Sequence, residues 1–177
     1  MIAIFIAVQA APLADMKSLM QPVSAAEGIG LFQQICFSKF PNPKAAMEVI
    51  SDPAMGLTKQ PETPSQAMQP GDAWTSPKAR VTYVDAEWMP FDLGSPQCSV
   101  TVVLQGQPLH SEVATTMVET LKLPDVKFGK NAASASSKWD VPQPNGDKWR
   151  LFLNTTQTPS GTEMYTVIMN LRGKKKK

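Results

Sequence analysis

The sequence predicts an α+β domain: an antiparallel sheet of about four to five strands, with two N-terminal helices and one central helix packed on it. Apolar residues recur at spacings of three and four in the first third of the chain, which is typical of amphipathic helices. Several later segments alternate between apolar and polar residues, which is typical of strands. The predicted elements follow the order helix, helix, strand, strand, helix, strand, strand, and this order indicates helices packed on an antiparallel sheet.

The chain opens with a stretch typical of an export signal. Residues Ile2 to Val8 are apolar, and the small residues that follow, up to Ala14, match what a signal peptidase accepts. The run is far shorter than the roughly 20 residues that cross a bilayer, so we predict its removal and no transmembrane span. No Lys or Arg precedes the run, and a buried N-terminal strand is the alternative. We predict a signal peptide over residues 1–14, an α+β domain over 15–172 and a basic tail over 173–177.

The first predicted helix starts with a capping box. The Ser24 hydroxyl is expected to accept a hydrogen bond from a free backbone N–H, while Glu27 reaches back to the start of the helix. Gly28 and Gly30 lower the intrinsic stability of this helix, so it needs tertiary packing. Pro41 ends it. Its apolar stripe comprises Ile29, Phe32, Cys36 and Phe40.

A second helix and a long connection follow. Asn42 and Pro43 supply a cap and a first-turn proline, and the helix is predicted to run to about Ile50. The segment from Pro53 to Pro77 is rich in proline and has little periodicity. We therefore predict a long surface connection there, with one short strand around Met55 to Lys59.

The middle of the chain is predicted to form two strands and a helix. Arg80 to Val84 alternates, and Cys98 to Leu104 is the clearest strand, with Cys98 on its apolar face. Residues 108–123 are predicted to form the third helix. Its apolar face comprises Val113, Ala114, Met117, Val118 and Leu121.

The C-terminal part is predicted to contain an irregular stretch and a hairpin. Residues 125–144 include a low-complexity run of Ala and Ser, and we predict no regular structure in them. Residues 149–154 and 164–169 alternate, and the turn-forming residues Thr158 to Gly161 separate them. This pattern predicts an antiparallel hairpin.

Cys36 and Cys98 are the only cysteines, and we predict a disulfide between them. Each lies on the predicted apolar face of its element, so both sulfurs are aimed at the interior. In the loop-entropy model a bridge closing a loop of about 60 residues contributes roughly 4 kcal/mol before strain. Two cysteines and one histidine cannot complete a zinc site without a carboxylate, and we predict neither a metal nor a cofactor.

No convincing catalytic pattern is present. His110 is the only histidine, and His110-Ser111-Glu112 matches the H-x-E element of zinc deaminases, but no cysteine follows it to complete their metal site. Serine-hydrolase, phosphate-loop and dinucleotide signatures are also missing. A Cys98–His110 nucleophile pair would need an accessible thiolate, whereas Cys98 is predicted to be buried. We therefore predict no catalytic residue, an exposed His110, and an intact fold after its replacement.

Charge and aromatic residues give weak indications of partners. The formal charge is +2, and subtracting the four terminal lysines, Lys174 to Lys177, leaves −2 for the rest of the chain, so nucleic acid is not an expected partner. Trp74, Trp88 and Trp139 lie in or beside irregular segments and are candidate ligand-binding residues, whereas Trp149 is expected in the core.

Three functional hypotheses follow from these observations. The first is an exported protein, periplasmic or secreted, that acts as a non-catalytic binding or envelope-associated module with an unknown partner. The second is a small hydrolase with an unrecognised active site around His110, completed by Ser or Asp residues from the loops. The third is a membrane-surface or nucleic-acid protein that uses the lysine tail.

Overall fold

The computed structural model describes residues 20–40, 42–61, 72–84, 97–106, 108–124, 127–130, 134–142, 148–157 and 165–172. The predicted signal peptide, Trp88 and the basic tail lie outside these residues. Within them the chain has the α+β fold that its sequence predicts, with helices packed on an antiparallel sheet.

One antiparallel sheet contains the eight strands found in the described ranges, in the order β1-β2-β3-β4-β8-β7-β6-β5. Strands β1 to β4 and β5 to β8 each form a meander, and the last strands of the two meanders pair along their whole length, from Gln97 opposite Arg172 to Leu104 opposite Tyr165. The strands are β1 Thr58–Lys59, β2 Asp72–Thr75, β3 Arg80–Val84, β4 Gln97–Leu104, β5 Lys127–Lys130, β6 Ser134–Pro142, β7 Lys148–Gln157 and β8 Tyr165–Arg172.

The sheet is wider than the four to five strands predicted, because segments expected to be irregular pair with their neighbours. Strand β2 lies within the proline-rich connection, and β5 and β6 lie within residues 125–144. The small residues of β6 have weak strand preference on their own. Their backbone N–H and C=O groups are paired with β7, which lies beside β6 from Ser134 opposite Thr156 to Pro142 opposite Lys148.

The helices begin where their capping residues predict. Helix α1 spans Ala25–Phe32, and the Ser24 hydroxyl accepts a hydrogen bond from the Glu27 backbone N–H at 3.1 Å. Helix α2 spans Pro43–Ile50, and the Asn42 side chain accepts one from the Ala45 N–H at 3.1 Å. A π-helical turn over Gln33–Phe37 continues α1, and a 3-10 turn over Pro53–Met55 follows α2. Helix α3 spans His110–Leu121. No helix in the described ranges has the length and hydropathy needed to span a membrane.

The core lies between these helices and one face of the sheet. Alternate residues of β4 are buried there, as the strand pattern predicts, and they share one cluster with the apolar faces of α1 and α3. The members of this cluster in the three elements are Cys98, Val100, Val102 and Leu104 on β4, Ile29 and Phe32 on α1, and Val113, Ala114, Met117 and Leu121 on α3.

A disulfide joins the helical layer to the sheet. Cys36 lies in the π-helical turn and Cys98 on β4, with their sulfurs bonded and their Cα atoms 5.6 Å apart. Both residues are fully buried. The predicted pairing is therefore present, and it ties the N-terminal helices to a central strand.

Candidate functional site

His110 is the first residue of α3 and lies half-buried where that helix meets the sheet. The preceding residue, Leu109, is the N-cap, and its backbone N–H donates a hydrogen bond to the Glu112 carboxylate at 2.7 Å. This contact sets the first turn of the helix, from which the imidazole reaches strands β6 and β7. The prediction of an exposed His110 was wrong, because the surface at that helix start is covered by the second meander.

The imidazole of His110 contacts two hydroxyl side chains on the sheet. Ser137 on β6 is 1% exposed and Thr155 on β7 is 2% exposed. Strand alternation places them on the same face as the buried Leu151 and Leu153. In the register of these strands Ser137 lies opposite Leu153 and Thr155 opposite Ala135, so the two hydroxyls are diagonal neighbours. Diagonal positions on paired strands are roughly 7–8 Å apart, a gap that one imidazole ring can bridge.

Each ring nitrogen of His110 makes one of these contacts. Nδ1 lies 2.9 Å from the Thr155 Oγ1 atom, and Nε2 lies 2.7 Å from the Ser137 Oγ atom. The Thr155 hydroxyl in turn donates to the backbone carbonyl of Ala135 at 3.4 Å. Three elements that are distant in sequence therefore meet in one hydrogen-bonded cluster, which we call the His110 cluster: His110, Ser137 and Thr155.

The direction of the hydrogen bonds follows from counting protons. A hydroxyl has a single proton; when that of Thr155 is donated to the Ala135 carbonyl, Thr155 accepts from Nδ1–H. A neutral imidazole carries one proton, and with that proton on Nδ1 the Nε2 atom is an acceptor. In this tautomer the Ser137 hydroxyl donates to Nε2. The cluster is a directed chain from Ser137 through His110 to Thr155.

This direction is the one that a serine nucleophile and its general base require. In such sites the hydroxyl donates to a ring nitrogen while a third group holds the other nitrogen and sets the tautomer. Two features differ here from an efficient hydrolase. Thr155 occupies the position of the usual carboxylate and brings no negative charge, and Ser137 is buried instead of facing an open cleft.

Two of the candidate ligand-binding tryptophans, Trp74 and Trp139, lie on strands and not in loops, and Trp88 lies outside the described residues. Trp74 is on β2 and is 7% exposed, with the Lys59 ammonium 5.9 Å from its ring centroid. Trp139 is on β6 and is 2% exposed. Both positions were predicted wrongly because β2 and β6 were not recognised as strands; the ligand-binding role stays a prediction. Trp149 packs edge-to-face on Phe40 at a centroid distance of 4.9 Å, against the core.

The indole N–H of Trp139 is an unusual polar group in the core. Its indole Nε1–H is buried, and no hydrogen-bond acceptor is found for it in the part of the chain that the structure describes. Trp139 follows Ser137 by two residues on β6, so strand alternation puts both on the same face of the sheet. An unpaired buried N–H is rare in folded proteins and calls for a specific explanation.

Within the described residues no group of three or more His, Cys, Asp or Glu side chains is placed to hold a metal ion. In comparisons with known proteins, no family model, no curated protein and no solved structure matches this chain.

Ser137 and Thr155 were not predicted from the sequence as members of the site, and the reasons differ. Ser137 belongs to the low-complexity run that was expected to be irregular, so its position in a strand was not recognised. Thr155 did carry a signal: it continues the alternation of Leu151 and Leu153, and a hydroxyl at a core-facing position needs a hydrogen-bond partner. Partners from other elements, such as His110, are set by the tertiary fold.

Proposed function

We propose that this chain is an exported protein, periplasmic or secreted, that acts as a non-catalytic binding or envelope-associated module. The observation that carries the proposal is the disulfide between Cys36 and Cys98 in the core. Disulfides persist in oxidising compartments and are rare in the cytosol. Both cysteines are fully buried, which suits a structural bridge and not a redox site.

The contacts of His110 are explained by a structural role, and they do not require catalysis. Hydroxyls that are themselves buried contact both of its ring nitrogens. In this arrangement the side chain fastens the start of α3 to β6 and β7. A histidine held in this way contributes to the fold without any substrate.

Export is tested with a reporter enzyme that is active only outside the cytoplasm. The full chain with its own N-terminus, fused to this reporter, is expected to give activity, and a matched fusion that starts at Met16 is expected to give none. Mass spectrometry of the exported product should find a new N-terminus near Ala11 or Asp15, since small residues precede both. Equal activity of the two fusions, or an exported product that retains Met1, contradicts the proposal.

Envelope association is tested by sedimentation. The purified domain is mixed with an isolated cell-envelope fraction or with protein-free vesicles of mixed zwitterionic and anionic lipid. Co-sedimentation with the envelope alone, retained after deletion of residues 174–177, supports the module. Binding to the anionic vesicles that falls with salt and disappears with the deletion supports the membrane-surface hypothesis instead.

A hydrolase around His110 is the second candidate function. The observation that favours it is the direction of the His110 cluster, in which Nε2 is an acceptor beside the Ser137 hydroxyl. Because Ser137 is buried, a hydrolase is the second candidate and not the first. Repeated turnover of short-chain esters by the purified protein, lost on His110→Ala, would place the hydrolase first.

A further inference from the structure

We propose that Ser137 is an acyl acceptor: its Oγ atom takes the acyl group from a small, uncharged, activated ester, and His110 acts as the base. The proposal uses the site of the second candidate function but requires a single acylation, not repeated turnover. It does not depend on where the protein is located. It would give the binding module a covalent mode of holding an acyl group.

The base lies within hydrogen-bonding distance of the nucleophile before any substrate arrives. In the tautomer in which Thr155 accepts from Nδ1–H, the Nε2 lone pair points at the Ser137 hydroxyl, 2.7 Å away. Attack by Ser137 Oγ on a carbonyl carbon can therefore release its proton directly to Nε2. The tautomer then does not have to change before the attack. In nucleophile–base pairs the third group holds the base in this way.

Trp139 is the candidate donor for the negative charge that develops on the ester carbonyl oxygen. Its Nε1–H is buried and has no acceptor among the described residues, and it belongs to the same strand face as Ser137. A donor that is already desolvated and unpaired loses no hydrogen bond when an oxyanion forms beside it. Such preorganised donors are among the largest contributions to acyl transfer.

Burial determines which substrates react and how fast. Ser137 is 1% exposed, so an ester reaches it when the surrounding structure opens locally. This requirement favours a small uncharged ester such as p-nitrophenyl acetate over long-chain or charged esters. Water is scarce at a buried serine, and water is a reactant in hydrolysis of the acyl group but not in its formation. The acylated protein is therefore expected to accumulate.

The acylation step balances without any further reactant. The Ser137 Oγ–carbon bond forms as the bond from the carbonyl carbon to the nitrophenyl oxygen breaks, and p-nitrophenolate leaves with that electron pair. The Ser137 proton passes to His110 Nε2. It then passes to nitrophenolate or to solvent, which returns the imidazole to its neutral state.

The primary test compares two adjacent serines in the unmodified protein. The full chain is incubated with p-nitrophenyl acetate, and peptide mass spectrometry measures the rate at which each residue gains an acetyl group. Ser136 is the matched control, because it neighbours Ser137 but lies on the opposite face of β6, opposite Asn154. We expect Ser137 to approach one acetyl group per chain. Acetylation of Ser137 no faster than that of Ser136 overturns the proposal.

Variants then assign the roles. Ser136→Ala should retain the fast phase of nitrophenolate release and Ser137→Ala should lose it. His110→Gln should slow acylation by at least about 100-fold, within the range of general-base contributions. Trp139→Phe should slow it by about 100-fold, the size expected for one oxyanion donor. Thermal melting is recorded for each variant; an unchanged acylation rate in a cooperatively folded His110→Gln variant overturns the proposal and leaves the export proposal standing.

Discussion

Gly28 on α1 packs directly against Val102 on β4. A Cβ atom built on Gly28 would lie 2.9 Å from the Val102 Cγ2 atom, whereas one built on Gly30 would meet no atom within 4 Å. Val102 is fully buried and its branched side chain has little freedom to turn away. The first helix therefore approaches the sheet at a point where only glycine fits, which is the packing that compensates for two glycines in a short helix.

This contact predicts opposite effects for two matched substitutions. Gly28→Ala should lower the free energy of unfolding by about 1–3 kcal/mol, because it overpacks the core against Val102. Gly30→Ala should raise it by about 0.5–1 kcal/mol, because alanine favours the helix and meets no obstacle. Urea unfolding of the two variants measures both changes. Equal effects of the two substitutions would show that α1 does not approach β4 as described.

The disulfide should account for a large share of stability. Replacing both Cys36 and Cys98 by alanine should lower the free energy of unfolding by about 2–5 kcal/mol, the usual cost of losing a native disulfide. Thiol titration of the denatured, unreduced protein should find no free sulfhydryl, because the two cysteines of the chain are bonded to each other. Two free thiols in protein from an oxidising compartment would contradict the pairing and weaken the case for export.

His110→Ala should destabilise the fold, in contrast to what the sequence predicted. The substitution leaves the buried hydroxyls of Ser137 and Thr155 without the imidazole, and an unpaired buried polar group costs about 1–3 kcal/mol. Adding Ser137→Ala and Thr155→Val to His110→Ala should recover part of this loss, because the unpaired hydroxyls are then removed. Urea unfolding provides the comparison. If His110→Ala alone has no effect, the cluster contributes nothing to stability.

The helix caps should contribute separately from the core. Ser24→Ala removes the hydroxyl that accepts from the Glu27 N–H and should lower the free energy of unfolding by about 1 kcal/mol. Ser24→Asp retains an acceptor at the same position and should cost much less, which makes it the control. Guanidinium unfolding of the two variants measures the difference. A similar loss in both would point to an effect other than capping.

Local features of the fold were predictable because they act within a few residues. The caps at Ser24 and Asn42 satisfy N–H groups three residues further on, and both helices begin where those residues predict. The alternation of β4 correctly placed Cys98 on the buried face. Together with the apolar stripe of α1 that contains Cys36, this pattern was enough to predict the disulfide.

Only the tertiary structure determined the width of the sheet and the His110 cluster. Strand β6 carries little strand preference of its own, and it forms because β7 is present to pair with it. His110 and Thr155 are 45 positions apart and Ser137 lies between them in sequence, so no local pattern links the three. Hydrophobic periodicity records which face of an element is buried. Which polar side chains meet on that face depends on strand order and register, and these are set by the packing of the whole chain.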